Sequence, residues 1–166
     1  LEIVSGSVTV AATGALATEA LSIQSGAALN VLSGGSLSAN SIVSADGSVN
    51  LFGPLMTLQT LQGGTAGLVT LDSTRLLVGG GTFAGVVRDG NGAAGSLEKV
   101  GSGTLSLSAA QLFTGTALVS AGSLRLDSGA ALQTTTVGVA AAGSLNVDAN
   151  ATLNSATVLN ADGTVL

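Results

Sequence analysis

A glycine returns at nearly regular intervals near both ends of the chain, and a similar short phrase follows it each time. Gly6, Gly26 and Gly47 form the N-terminal series. Gly122, Gly143 and Gly163 form the C-terminal series, with the same two spacings in the reverse order. A period of about 20 residues is typical of a solenoid, in which each repeat forms one coil and stacks on the next.

Between these glycines, apolar and polar residues alternate in short runs, as where Leu124 and Leu126 flank Arg125. Alternation with a period of two predicts strands with one buried face. Each coil holds three such runs, separated by Gly, Asn, Asp or Ser, which tolerate the backbone conformations of corners. We therefore predict an all-β chain that folds as a right-handed parallel β-helix (β-solenoid), with three short strands per coil, about 20–21 residues per coil and about eight coils.

The repeat is present at both ends of the chain, and we expect a single domain over residues 1–166. The period blurs between residues 52 and 95, where we expect further coils with longer corners rather than a second domain. The glycine run at residues 79–81 predicts a turn there. The chain begins Leu1-Glu-Ile and ends in an apparent strand, so we expect a fragment of a longer chain, whose terminal coils pair end to end with like coils.

Composition excludes several classes of function. The net charge is −5 and the basic residues number four, so no basic stripe is present to displace counterions from nucleic acid. The chain contains neither cysteine nor histidine, which removes disulfides, thiolate metal sites and the usual general base. Although 46% of the residues are hydrophobic, they alternate with polar residues, and we expect no membrane-spanning helix in this segment.

Residues 81–126 carry a longer pattern that resembles the passenger-associated repeat of bacterial autotransporters. Eleven residues match it: Leu97, Lys99, Gly101, Gly103, Thr104, Leu105, Thr114, Gly115, Ala121, Gly122 and Leu124. Four depart from it: Gln111, Leu112, Phe113 and Ser123. The resemblance implies a right-handed β-helix that is extracellular or displayed at the bacterial outer membrane, with its translocating barrel in a separate domain.

Two short motifs are compatible with catalysis or cofactor binding, but their context favours structural roles. Residues 90–95 read G-x-G-x-x-G, yet glycines follow too soon for the helix that a dinucleotide site requires, so we interpret them as a corner loop. Ser96 and Lys99 form S-x-x-K, but residues three apart in a strand point to opposite sides. We expect no cofactor.

Acidic residues give the one weak candidate for a metal or acid–base site. Asp127 and Asp148 lie one glycine period apart and should stack in successive coils. Two stacked carboxylates could bind a cation or raise one of their pKa values; the alternative, which we favour, is a pair of solvated corner residues. Of the remaining charges, Arg88–Asp89 and Glu98–Lys99 are expected to form local ion pairs of small value.

One outward row should carry Thr9, Asn30 and Asn50, whose side chains could form a hydrogen-bonded ladder along the stack. Together these features predict a non-catalytic structural β-solenoid, a surface stalk, adhesin or fibre segment that acts through adhesion or self-association. A host surface or a glycan is a candidate target. The alternative is a carbohydrate-active β-helix enzyme that uses paired carboxylates.

Overall fold

The computed structural model describes residues 1–91 and 93–166, apart from the side chains of residues 155–161. Within that part, all secondary structure is β, and each strand runs parallel to the strands it pairs with. The strands are β1 (Glu2–Ile3), β2 (Ser7–Val10), β3 (Ala15–Leu16), β4 (Ala20–Ile23), β5 (Ala28–Val31), β6 (Ser36–Leu37), β7 (Ile42–Ala45), β8 (Ser48–Leu51), β9 (Leu55–Gln62), β10 (Leu68–Leu71), β11 (Arg75–Phe83), β12 (Val86–Asp89), β13 (Ser96–Lys99), β14 (Thr104–Leu107), β15 (Ala110–Gln111), β16 (Thr116–Val119), β17 (Gly122–Leu126), β18 (Ala131–Val139), β19 (Gly143–Val147), β20 (Thr152–Ala161) and β21 (Thr164–Val165).

The strands form three walls, which the chain visits in turn about eight times. The first wall contains β1, β4, β7, the ends of β9 and β11, and then β14, β17, β19 and β21. The second contains β2, β5, β8, β10, β12, β15 and the starts of β18 and β20. The third contains β3, β6, the starts of β9 and β11, β13, β16, and the ends of β18 and β20. The predicted β-solenoid with three strands per coil is confirmed.

The pairing register follows the glycine period closely in the C-terminal coils. Gly122 pairs with Gly143, as the spacing of the two glycines predicts. At the other end the register differs, because Ser7 pairs with Ala28 and one extra residue lies in the corner that contains Gly26. A corner accepts an insertion because its residues are outside the strand ladder, so the spacing of glycines is less constant than the spacing of strands.

The interior is a column of aliphatic side chains. Leu124 and Leu145 pair in register, and their exposed fractions are 1% and 0%, which confirms that they stack inward. Phe83 and Phe113 are also fully buried. Burial of a side chain of this size contributes about 1.5–3 kcal/mol. The inward side chains of each coil pack against those of the coils on either side, so the hydrophobic core extends along the axis.

The irregular middle of the chain consists of further coils, as predicted, but its corners differ from the expectation. Residues 79–81 do not end a strand as the predicted turn would; they lie inside β11, which continues from the third wall into the first. Gly81 has a φ of 129°, and a Cβ atom there would overlap the carbonyl oxygen of Leu61. Because glycine has no side chain, the strand can bend around the corner here while its backbone stays close to the adjacent coil.

No helix in the described residues is long and apolar enough to cross a membrane.

Candidate functional site

The two candidate carboxylates lie in successive corners between the first and second walls, where Arg125 contacts both. The Nε atom of Arg125 lies 3.2 Å from Oδ1 of Asp127, and its Nη2 atom lies 2.5 Å from Oδ2 of Asp148. Asp127 also accepts a hydrogen bond of 2.7 Å from the hydroxyl of Ser108. The stacking predicted from the sequence is therefore present, together with a counter-ion that the sequence reasoning did not assign.

Arg125 sets the electrostatics of this corner. Its hydrogen bonds and charge lower the pKa of the Asp148 carboxyl, and the same contacts raise the pKa of the guanidinium. Repulsion between two carboxylates alone would raise a pKa, so the arginine decides the direction at Asp148. All three side chains are partly exposed, and the cluster is a surface ion-pair network.

Lys99 occupies a different environment, since the whole residue is inaccessible to solvent. Its Nζ atom donates hydrogen bonds to the carbonyl oxygens of Val100 at 2.6 Å and Gly101 at 2.8 Å. A third hydrogen bond reaches the carbonyl oxygen of Ala121 at 3.2 Å. Burial lowers the pKa of this ammonium group. The lysine thus ties together two stacked corners between the third and first walls.

The predicted Glu98–Lys99 ion pair is wrong, because adjacent residues of a strand point to opposite sides. Lys99 points into the corner, whereas Glu98 lies on the outer face of the third wall and pairs with Arg75. The other carboxylate oxygen of Glu98 accepts a hydrogen bond of 2.5 Å from the hydroxyl of Ser120. Ser96 accepts, through its hydroxyl oxygen, a hydrogen bond from the backbone N–H of Thr116.

The predicted Arg88–Asp89 ion pair is also absent from the part of the chain that the structure describes. Asp89 instead accepts a hydrogen bond from the backbone N–H of Gly95 at 2.7 Å, and two more from the N–H and hydroxyl of Thr114 at 2.9 and 2.6 Å. Asp89 therefore binds Gly95, the last residue of the G-x-G-x-x-G segment, and a strand follows that segment. Gly92 of that segment lies outside the described residues.

The expected outward row is present on the second wall. Thr9 pairs with Asn30, and Asn30 pairs with Asn50. The amide nitrogen of Asn50 donates a hydrogen bond of 2.9 Å to the side-chain oxygen of Asn30. The row continues through Thr70 and Arg88, which occupy the same position in the next two coils. The row that the sequence predicted is therefore longer and includes the charged Arg88, which pairs with Leu112 in the next coil.

A groove lies on the second wall beside this row, and sequence reasoning missed it. Its volume is about 390 Å³. The groove is lined by residues from three consecutive coils: Asn50 and Phe52, Thr70 and Asp72, and Arg88 together with residues 89–91. Phe52 is 38% exposed. The available signal was an aromatic residue placed directly after a strand of a chain that has only three aromatic residues.

The residues that resemble the passenger-associated repeat occupy structural positions. Leu97 and Leu105 are buried in the core, and Gly101 has a φ of 68°, a conformation that favours glycine. Gln111, a departure from the pattern, is fully buried and accepts a hydrogen bond of 2.8 Å from the N–H of Val87. Its amide nitrogen donates to two carbonyl oxygens. Gln111 therefore satisfies one backbone N–H group and two backbone carbonyl groups around its corner.

No family model, curated protein or solved structure matches the chain. The described residues include no group of three or more Cys, His, Asp or Glu side chains placed to hold a metal ion.

Proposed function

We propose that this chain is a non-catalytic structural β-solenoid, a stalk, adhesin or fibre segment of a bacterial surface protein similar to autotransporter passengers. The observation that carries the proposal is the parallel ladder that links coil to coil on three walls around one apolar column. A rod of this kind holds its ends apart at a fixed distance, and it presents its outer faces repeatedly along one axis.

Backbone hydrogen bonds between parallel strands run along the solenoid axis, so on each of the three walls they connect every coil to the next. Stability in such a stack is the sum of the coils and the interfaces between neighbouring coils. This arrangement suits a spacer that must stay folded under tension.

The extracellular location rests on the resemblance of residues 81–126 to the passenger-associated repeat. The buried positions of Leu97 and Lys99 support that resemblance, because both pattern residues contribute to corners and core rather than to an exposed surface. A bacterial cell surface, with the chain displayed outside the outer membrane, is the corresponding proposal for localisation.

Enzymatic use of paired carboxylates is the weaker proposal. A general acid needs a raised pKa, whereas Arg125 lowers the pKa of Asp148. The guanidinium of Arg125 also contacts both carboxylates, so each of them is already paired with a cation of the protein. The arrangement therefore supports a structural use of this corner.

Self-association is the second part of the proposal. Apolar residues are exposed at the two end coils of the 166-residue chain, Val4 at one end and Val165 and Leu166 at the other. A second copy stacked in register would cover them and continue the ladders, and head-to-tail contacts of this kind propagate as filaments. Light scattering at rising protein concentration tests this part, and a particle that stays monomeric would contradict it.

The mechanical role is tested by pulling single molecules between residues 1 and 166. We expect a defined unfolding force that drops in the variant Leu145→Asp, which breaks the core of one coil, and stays unchanged in Ser144→Asp, whose side chain lies on the outer face. Gradual extension at negligible force would contradict the stalk. A hydrolysis screen against polysaccharides tests the enzymatic alternative, and turnover abolished by Asp148→Asn would replace our proposal with it.

A further inference from the structure

Phe52 stands apart from the other two aromatic residues of the chain. Phe83 and Phe113 are fully buried in the core, whereas Phe52 is 38% exposed at the corner that follows β8. An exposed aromatic ring leaves apolar surface in water, which is unfavourable unless another surface covers the ring. The ring faces the groove described above rather than an isolated stretch of surface.

Three polar residues form one side of this groove. Asn50, Thr70 and Arg88 occupy one outward row in three successive coils, as their pairing register shows. Parallel strands lie about 4.8 Å apart, so the row spans about 10 Å along the axis. Phe52 and Asp72 lie two residues beyond Asn50 and Thr70, and they line the groove as well. The groove therefore runs parallel to the solenoid axis.

The polar groups of the groove combine donors and acceptors on rigid supports. Arg88 is exposed, and its guanidinium offers five N–H donors. Asp72 contributes a carboxylate, which accepts hydrogen bonds. Asn50 is held in place by its hydrogen bond to Asn30. The hydroxyl of Thr70 is buried with no hydrogen-bond partner in the described structure, although the residue lines the groove.

The charges of the groove argue against an anionic ligand. Arg88 is the cation of the groove, and two carboxylates, Asp72 and Asp89, lie beside it. A phosphate or sulfate group would gain one attraction and meet two repulsions. A neutral ligand with many hydroxyl groups meets no such penalty, because each hydroxyl both donates and accepts, and can therefore contact a guanidinium and a carboxylate at once.

The groove is large enough for one sugar ring. Its volume of about 390 Å³ lies near the lower end of the range of about 300–1,000 Å³ that small-molecule sites occupy. A pyranose ring has an apolar face of C–H groups and an edge of hydroxyls. The C–H face is the part of such a ring that packs against an aromatic side chain such as Phe52, and the hydroxyl edge is the part that hydrogen-bonds polar side chains such as Asp72 and Arg88.

We propose that this groove binds one ring of a neutral saccharide, with Phe52 covering the C–H face of the sugar and with Arg88 and Asp72 contacting its hydroxyls. A saccharide would be the ligand class through which the proposed adhesin binds its target. This inference therefore rests on the adhesive role proposed above. Binding of one ring in an open groove is weak, and a Kd of about 1–10 mM is expected, so an adhesin would use several such contacts at once.

The test is an NMR titration of the isotopically labelled chain. The probes are the methyl pyranosides of glucose, galactose, mannose and N-acetylglucosamine, with sorbitol as an open-chain polyol that has hydroxyls but no ring face. We expect saturable shifts for at least one glycoside, confined to residues near 50–52, 70–72 and 88–91, and a response to sorbitol at least fivefold weaker.

Variants inside and outside the groove show which residues contribute to binding. Phe52→Ala and Arg88→Gln should each weaken binding at least fivefold. Leu32→Ala is the matched control, because Leu32 is 40% exposed and follows β5 as Phe52 follows β8 in the next coil, and it should leave binding unchanged. Circular dichroism of each variant checks that the fold is retained.

Three results would overturn the proposal: no saturable shift with any glycoside, shifts of equal size along all walls, or binding that Phe52→Ala leaves intact. Saturable binding of inorganic phosphate at the same residues would replace the saccharide with an anionic ligand. Each of these outcomes is independent of the pulling experiment, so failure of the saccharide site and failure of the stalk are distinguishable.

Discussion

Lys99 hydrogen-bonds through its ammonium group to the carbonyl oxygen of Ala121, which lies one coil further along the axis, at 3.2 Å. The same ammonium group also binds the carbonyl oxygens of Val100 and Gly101 in its own corner. A single buried cation therefore satisfies acceptors in two stacked corners, where no strand ladder is present to do so. This contact makes a corner contribute to the cohesion of the rod.

Replacement of this lysine should reveal that contribution. Lys99→Met keeps most of the aliphatic stem but removes the donor from three carbonyl oxygens, and we expect a loss of about 1–3 kcal/mol in the free energy of unfolding. Arg88→Met is the control, because it also replaces a cation with methionine but at an exposed position. It should change the free energy of unfolding by less than about 0.5 kcal/mol. Urea denaturation measures both, and equal stability of the two variants would contradict a structural role of Lys99.

The inward stack of leucines gives a sharper test. Leu145→Asp buries a carboxylate among aliphatic side chains, and we expect a loss of more than about 3 kcal/mol, with the C-terminal coils becoming sensitive to protease. Ser144→Asp, one residue earlier and on the outer face, should remain resistant. Limited proteolysis followed by mass spectrometry locates the cleavage sites, and cleavage spread evenly over the chain would contradict the register.

The Arg125–Asp148 contact makes stability depend on acidity. Because the pKa of Asp148 is lowered below its ordinary value of 3.8, its stabilising effect is present above that value and is lost as the pH falls through the lowered pKa. Asp148→Asn should therefore lose more stability relative to the wild type at about pH 7 than at about pH 2. Thermal unfolding at both pH values measures the difference, which should shrink at high salt. A difference that stays equally large at low pH would point to packing instead.

A glycine at a close approach between coils gives the fourth test. A Cβ atom at Gly115 would overlap the carbonyl oxygen of Gly95 in the preceding coil, so Gly115→Ala should cost about 1–3 kcal/mol. Gly53→Ala is the control, since nothing lies within 4 Å of the position that its Cβ would take. Calorimetry measures the stability of both variants. A Gly115→Ala variant as stable as the wild type would mean that the two coils can move apart at this corner without loss of stability.

The fold could be predicted from the sequence because the length of one solenoid coil appears directly as the spacing between repeated residues. Leu124 and Leu145 were placed correctly, since the glycine period fixes their register and the alternation of apolar and polar residues fixes their face. The glycines at 79–81 were misplaced, because a glycine run predicts a turn equally well whether the strand ends there or bends.

The side-chain partners were much less predictable. Glu98 pairs with Arg75, which lies in the preceding coil, and not with its neighbour Lys99. Local spacing gives the face of a residue, whereas its partner is set by which residue occupies the same face one coil away. The groove beside Phe52 was missed for the same reason, since its lining comes from three coils that only the register brings together.

The nearly constant register has a consequence for the evolution of such chains. In the walls, Asn50 meets Asn30 on one side and Thr70 on the other, and the two partners are equally distant from it along the chain. Duplication or loss of a segment of that length would add or remove one whole coil while every remaining coil kept neighbours of the same shape. The length of the rod can therefore vary among descendants of one ancestral gene by steps of about 4.8 Å, without any redesign of its cross-section.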